Sequence, residues 1–249
     1  MIFTPDYPQA RPLPSPNHGE RLRTISTLIL HYTGVPTLQD ALDLLLSPRA
    51  QVSAHYLVAE DGSVLQLVPE TRRAWHAGKG YWAGETDLNS TSIGVEIQHP
   101  GHADPRPYPQ AQIRSVVALA RNVCARNGIA KRQVLAHSDI AIARKVDPGE
   151  FFPWDALAEA GVGLFVPPAP IDGDWALSLG ATGAAVASLR ERLAAFGYDV
   201  EAKGAYDERL ATAVSAFQRH FRPALVDGRA DASTLATLTL LLRATGGSA

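Results

Sequence analysis

The chain has 249 residues, 46% of them apolar and 19% charged, with a formal net charge of −2. That length suits one sizeable domain plus a small one, and the near-neutral balance gives no electrostatic reason to expect nucleic acid as a partner. No apolar run approaches the ~18 residues of a membrane span, so no membrane anchor is expected, and the single cysteine, Cys124, excludes an internal disulfide and a cysteine-rich metal cluster.

Residues 1–23, rich in Pro and polar side chains, read as an N-terminal arm that is either laid over a domain or disordered. They lack the basic and apolar regions of a signal peptide. This predicts a cytoplasmic protein, or a periplasmic one if a leader was removed. Thr27 to His31 (TLILH) is the first buried strand, apolar throughout and ending on a histidine. A lone histidine there is read first as a hydrogen-bonded core residue. Thr37 caps a short helix, LQDALDLLL, that stops before Pro48. VSAHYLVAEDGSVLQLV is a hairpin around Asp61-Gly62, with His55 as a structural residue on its first strand.

Residues 69–91 form a long loop crowded with Trp75, His76, Tyr81 and Trp82, with Arg72, Arg73 and Lys79 between them. Aperiodic loops of this length are often functional. The mixture of aromatic and cationic groups suits a partner with sugar faces and carboxylates. In the strand SIGVEIQ, Ile93, Val95 and Ile97 share one face while Ser92, Gly94 and Glu96 share the other. A buried glutamate needs a partner or a polar cleft, so Glu96 is the candidate general base, and its small neighbours leave room for a substrate. His99 and His102 follow in a Pro/Gly-rich loop and read as surface residues.

Gln110 to Asn127 has helical periodicity, with Cys124 on the apolar stripe and Gly128 closing it. Then comes VLAHSDIAIARKVDPGEFFPW. A short apolar run delivers His137 to a strand end, and Lys145 and Asp147 lie two apart, on one side of an extended segment. His137 and Asp147 read as part of a metal site, which needs a third protein ligand if it is a zinc hydrolase centre. Trp154 to Ala160 is a short helix. A Gly/Pro-rich linker leads to three striped helices: Val186, Leu189, Leu193 and Phe196; Leu210, Val214 and Phe217; and Leu235, Leu238 and Leu241. Asp207 and Asp231 cap the second and third, each within a Gly-x-x-Asp repeat. Such a module can fold alone with little stability to spare, and binding is its expected role.

The elements LHYTG, SAHYLVAEDGSVLQLV, RAWHAG, NSTSIGVEI and HSDIAIARKVDPGEFFPW, in that order, resemble the zinc-dependent N-acetylmuramoyl-L-alanine amidases of the amidase-2 family, most of all its AmpD/AmiD branch. The likeness spans about residues 24–160. The C-terminal segment is similar to a three-helix peptidoglycan-binding module. The resemblance implies an α/β fold, a central mixed sheet flanked by helices, followed by the small three-helix domain. It implies zinc bound by His31, His137 and Asp147, which turns His31 from core residue to ligand, with Glu96 and Lys145 as the catalytic pair. Related phage amidases and animal recognition proteins place a tyrosine where this chain has Ala54, so the base is expected from Glu96. Arg73, Trp75, His76 and Asn89 are the candidate substrate contacts, from loop position and motif membership. The implied reaction is hydrolysis of the amide between N-acetylmuramic acid and L-alanine in peptidoglycan or anhydro-muropeptides. The rivals are a non-catalytic peptidoglycan-fragment receptor and a zinc peptidase cutting within the stem peptide. The expected boundaries are an arm over 1–23, a catalytic domain over 24–161, a linker over 162–174 and the helical domain over 175–245.

Overall fold

The structure, a computed structural model, describes residues 3–246, so the first two residues of the predicted arm lie outside it. The arm is laid over the domain. It contributes two short strands, β1 (Arg11–Pro12) and β2 (His18–Glu20), which periodicity could not reveal because each is only two or three residues long. Buried Asn17 ties the arm down by donating to the carbonyls of Ser47 and Val52.

The first predicted strand is β3 (Thr27–Tyr32), followed by α1 (Leu38–Leu45), where Thr37 and Asp40 form a reciprocal capping box. The hairpin is β4 (Tyr56–Val58) and β5 (Val64–Gln66), antiparallel, with Gly62 in the left-handed region at φ +88°. The long loop contains β6 (Arg72–Ala74), which pairs with β2, and one helical turn, α2 (Leu88–Thr91). Then come β7 (Ser92–Ile97), α3 (Gln110–Asn127), β8 (Val134–Ala136), α4 (His137–Ile140) and α5 (Trp154–Glu159). Six strands form a mixed sheet in the order β1-β5-β4-β7-β3-β8, parallel except for the β4–β5 hairpin.

Strand parity sets the layers. Leu28 and Leu30 of β3, with Ile93, Val95 and Ile97 of β7, pack against Val116, Leu119 and Val123 of α3. Ile29 and Leu135 face the opposite way, into a cluster that continues through Trp82 and Ile140 into the C-terminal helices. Those helices are α6 (Ala184–Phe196), α7 (Glu208–Phe221) and α8 (Ala232–Ala244); a two-stranded ribbon, β9 (Ala176–Leu177) with β10 (Ala230–Asp231), accompanies them. The ribbon has no sequence signal beyond two residues per strand. Asp207 and Asp231 cap α7 and α8 as read, accepting from Leu210 N and Thr234 N at 2.8 and 2.7 Å.

The helical domain is therefore docked. Trp82 sits edge-on to Phe196 and Tyr198, with ring centroids 6.0 and 5.1 Å away, so part of the long loop's aromatic content fills an interdomain core. His99 also departs from expectation. It is buried, stacked on Tyr108 at 4.2 Å, and its Nδ1 accepts from Gly101 N. Cys124 is half-buried in α3, and burial pushes its thiol up to about 11, the setting of an inert structural residue.

Candidate active site

A cleft of about 260 Å³ opens on the β3/β7 face opposite α3; His31, Glu96, His137, Lys145 and Asp147 all line it. The sheet register brings them together. His31 is cross-strand partner of Glu96, so both project from the same face near the C-terminal ends of parallel strands. Ala136 pairs with Leu30, which sets His137, the next residue, beside His31. The segment 145–147 then returns, with Val146 turned to solvent and its neighbours on the cleft. The main chain of Asp147 is fastened to the same turn, because its carbonyl accepts from Ser138 N at 3.0 Å.

Three atoms converge. His31 Nδ1 lies 2.9 Å from His137 Nδ1 and 3.1 Å from Asp147 Oδ2, and His137 Nδ1 lies 2.9 Å from the same oxygen. The other nitrogens of both rings are engaged. His137 Nε2 faces the carbonyl of Ala77 at 3.1 Å; a carbonyl only accepts, so Nε2 carries a proton and Nδ1 is the ring atom turned to the cluster. Burial and, after it, the neighbouring His137 push His31 down to about 4. Burial works to raise the Asp147 carboxyl, but the two histidines outweigh it and hold it far below the usual range. Two imidazole nitrogens thus meet a carboxylate oxygen in a buried pocket, the three ligand atoms within reach of a single cation. Two nitrogens and one oxygen suit zinc, and on an ideal tetrahedron such ligand atoms stand about 3.3 Å apart. The donor set fits.

Glu96 is the second unusual group. Its Oε2 is shut from solvent and has no hydrogen-bond partner among the described residues. Burial pushes its carboxyl well above the ordinary range; nearby Asp147 adds to the push and Lys145 opposes it. A carboxylate in that setting is a ready proton acceptor. Lys145 is half-buried and makes no ion pair within 4 Å among the described residues, which leaves its ammonium available to the cleft.

The four expected substrate contacts divide. Trp75 lines the cleft beside Leu44 and Val52. His76 borders it too, but its ring is a support: Nδ1 faces His31 Nε2 at 3.0 Å and Nε2 faces Ser92 Oγ at 3.2 Å. Such outer partners orient ligating histidines. The room beside Gly94 serves this ring rather than a substrate, since a Cβ at Gly94 would meet His76 Cγ at 2.4 Å. Asn89 is buried away from the cleft wall, where its Oδ1 accepts from the main-chain N–H of His76 and Ala77 at 3.0 and 2.8 Å. Arg73 points to Asp87 at 3.4 Å, also off the wall. Sequence position could not separate these roles, because one loop supplies both the cleft wall and its scaffolding. His55 is structural as read, with Nδ1 accepting from Gly94 N at 2.9 Å.

Comparison with known proteins follows the same lines. Residues 21–150 match the N-acetylmuramoyl-L-alanine amidase family and residues 182–238 a peptidoglycan binding domain. The chain is 40% identical over 237 residues to N-acetylmuramoyl-L-alanine amidase AmiD of Escherichia coli (strain K12), covering 89% of this chain and 84% of that one. The structure of Escherichia coli AmiD in complex with the substrate anhydro-N-acetylmuramic acid-L-Ala-D-γ-Glu-L-Lys superposes with a TM-score of 0.76 at 38% identity, over 90% of this chain and 91% of that one. AmpDh3 of Pseudomonas aeruginosa gives 0.75 at 31% identity, over 99% and 100%.

Proposed function

We propose, from the premise that this chain belongs to the N-acetylmuramoyl-L-alanine amidase family, that its cleft hydrolyses the amide between N-acetylmuramic acid and L-alanine with a zinc ion held by His31, His137 and Asp147. The observation that carries the assignment of the centre is the meeting of two imidazole nitrogens and a carboxylate oxygen within 3.1 Å. Bound there, zinc supplies Lewis-acid chemistry, acidifying water towards a pKa of ~7 and polarising a carbonyl.

The chain's own groups do the rest. Glu96 takes the proton from the attacking water, since its Oε2 has no other donor among the described residues. Lys145 brings a compact positive charge to the carbonyl oxygen as that oxygen becomes an oxyanion. Glu96 then returns its proton to the departing amine of L-alanine, completing the hydrolysis. Trp75, Leu44 and Val52 form the apolar wall against which the substrate rests, while Arg73 and Asn89 hold the surrounding loop. Soluble anhydro-muropeptides, the class of molecule bound in the AmiD and AmpDh3 complexes, are the substrates on this reading, in peptidoglycan recycling or turnover.

Mass spectrometry of a defined anhydro-muropeptide incubated with zinc-loaded protein tests the reading. The expected products are free anhydro-sugar and intact stem peptide, formed with zinc and lost on chelation. Cleavage within the stem peptide, or turnover that survives metal removal, would overturn it.

A further inference from the structure

Asp139 lies two residues beyond His137 in a fully buried position, and none of the chemistry above uses it. Its carboxylate is a junction. Oδ2 accepts from the main-chain N–H of Ala136 at 2.8 Å and faces His220 Nδ1 at 2.6 Å; Oδ1 accepts from the Tyr198 hydroxyl at 2.7 Å. Ala136 immediately precedes His137. Tyr198 and His220 belong to the helical domain, 59 and 81 residues away along the chain.

Both distant donors are themselves fixed by the catalytic domain. His220 stacks on Trp154 with centroids 3.7 Å apart, and Tyr198 stands edge-on to Trp82 at 5.1 Å. The turn they reach is α4, a single turn of four residues that begins with the ligand His137. One turn is too short to hold itself in shape, because helix nucleation fixes several dihedrals for one hydrogen bond. A buried carboxylate left with only one donor is costly and turns towards solvent. Without Tyr198 and His220, Asp139 keeps only Ala136 N–H, and the turn carrying His137 loses its tie to the helical domain. Metal ligation tolerates displacements of about 0.5 Å before affinity suffers.

We propose that the C-terminal domain is a working part of the metal centre: Tyr198 and His220 fix Asp139, and Asp139 positions His137. All three are positioning residues. The inference rests on the zinc reading of the cleft. It makes the domain an integral support of the catalytic domain, whatever it binds on its outer surface.

The test uses the full chain and zinc competition against a chromophoric chelator, beside kcat and KM on a soluble anhydro-muropeptide. Tyr198→Phe/His220→Leu removes both donors and is expected to weaken zinc about 10- to 100-fold, lowering kcat with KM unchanged. His220→Asn, which retains a donor near Nδ1, is expected to recover most of the loss due to His220→Leu. Should the double variant not fold, Tyr198→Phe alone carries the test with a several-fold weakening. Val186→Ala, a core truncation in α6, serves as control and is expected to lower the melting temperature while leaving zinc affinity at the wild-type value. Wild-type zinc affinity and kcat in the donor variants would overturn the inference, as would equal weakening by Val186→Ala. A wild-type protein without zinc affinity would overturn this inference and the metal reading together.

Discussion

Two regions of this molecule bury charge, and they treat it in opposite ways. In the helical domain, buried Arg190 donates to the carbonyls of Glu201 and Ala205 and to Asp207, and buried Arg222 donates to Leu225 O, Asp231 and Thr234. Each guanidinium has a counterion and at least one main-chain acceptor. In the cleft, Glu96 Oε2 has no partner among the described residues, and Asp147 Oδ2 meets two imidazole nitrogens. A fold can hold an unsatisfied group only by giving up stability, so the cleft is where stability has yielded to chemistry. The helical domain leaves single buried nitrogens without a hydrogen bond, the Nε atoms of Arg192, Arg219 and Arg222 and Nε2 of His220, but among the described residues no carboxylate oxygen there is left so, and its charges serve packing.

Substitutions at the metal centre should break the comparison most severely. His31→Ala is expected to abolish stoichiometric zinc, measured by metal analysis of the purified protein, and to reduce turnover to background. Retention of one zinc per chain would remove His31 from the ligand set. Glu96→Gln comes next. It should keep the metal and lower kcat by about 10²- to 10⁴-fold, the usual contribution of a positioned acid–base group. Its melting temperature should hold or rise, because an amide replaces a carboxylate that nothing satisfies. A clear drop in melting temperature would show that Glu96 is a structural carboxylate after all.

Much of this contrast was legible in the sequence because it is local. Alternation along 92–97 put Glu96 on the face away from Ile93, Val95 and Ile97, and the sheet keeps that parity. Asp207 and Asp231 announced their helices by N-cap chemistry, which operates over three residues. What stayed hidden depends on contacts between distant segments. Nothing near Asp139 signals that Tyr198 and His220 will reach it, and nothing near Trp82 says that it will pack on Phe196 rather than line the cleft. The place of His76 is foreshadowed by Gly94, whose missing side chain leaves the space for its ring. That inference needs the loop's path, which no periodicity encodes. The bare ligand set itself, with His31 at a strand end, required the motif order to separate it from a core histidine.

The packed side of the comparison has its own strong test. Arg222→Leu leaves Asp231 charged in a nearly dry setting and removes the donor to Leu225 O. Breaking one side of a buried pair costs about 3–5 kcal/mol, which urea unfolding of the full chain should register. Zinc content should match wild type, since Arg222 makes no contact with the ligand-bearing turn in its hydrogen-bond set. A loss below about 1 kcal/mol would place this pair with ordinary surface charges.

The finest division lies between two halves of the helical domain that repeat the same device. Asp207 caps α7 and pairs with Arg190; Asp231 caps α8 and pairs with Arg222. The two aspartates differ in exposure, with side chains 54% and 11% accessible. Asparagine caps a helix about as well as aspartate, so Asp→Asn at either site keeps the cap and removes only the charge. At Asp207, water screens the pair and Arg190 retains two main-chain acceptors, so the loss should be at most about 1 kcal/mol. At Asp231 there is little water to take over, and a hydrogen bond between charged groups is worth about 1.5–3 kcal/mol. Asp231→Asn should therefore melt below Asp207→Asn, by a few degrees for a protein of this size. Equal melting temperatures would mean that the cap alone carries both sites and that exposure does not set the worth of the ion pair.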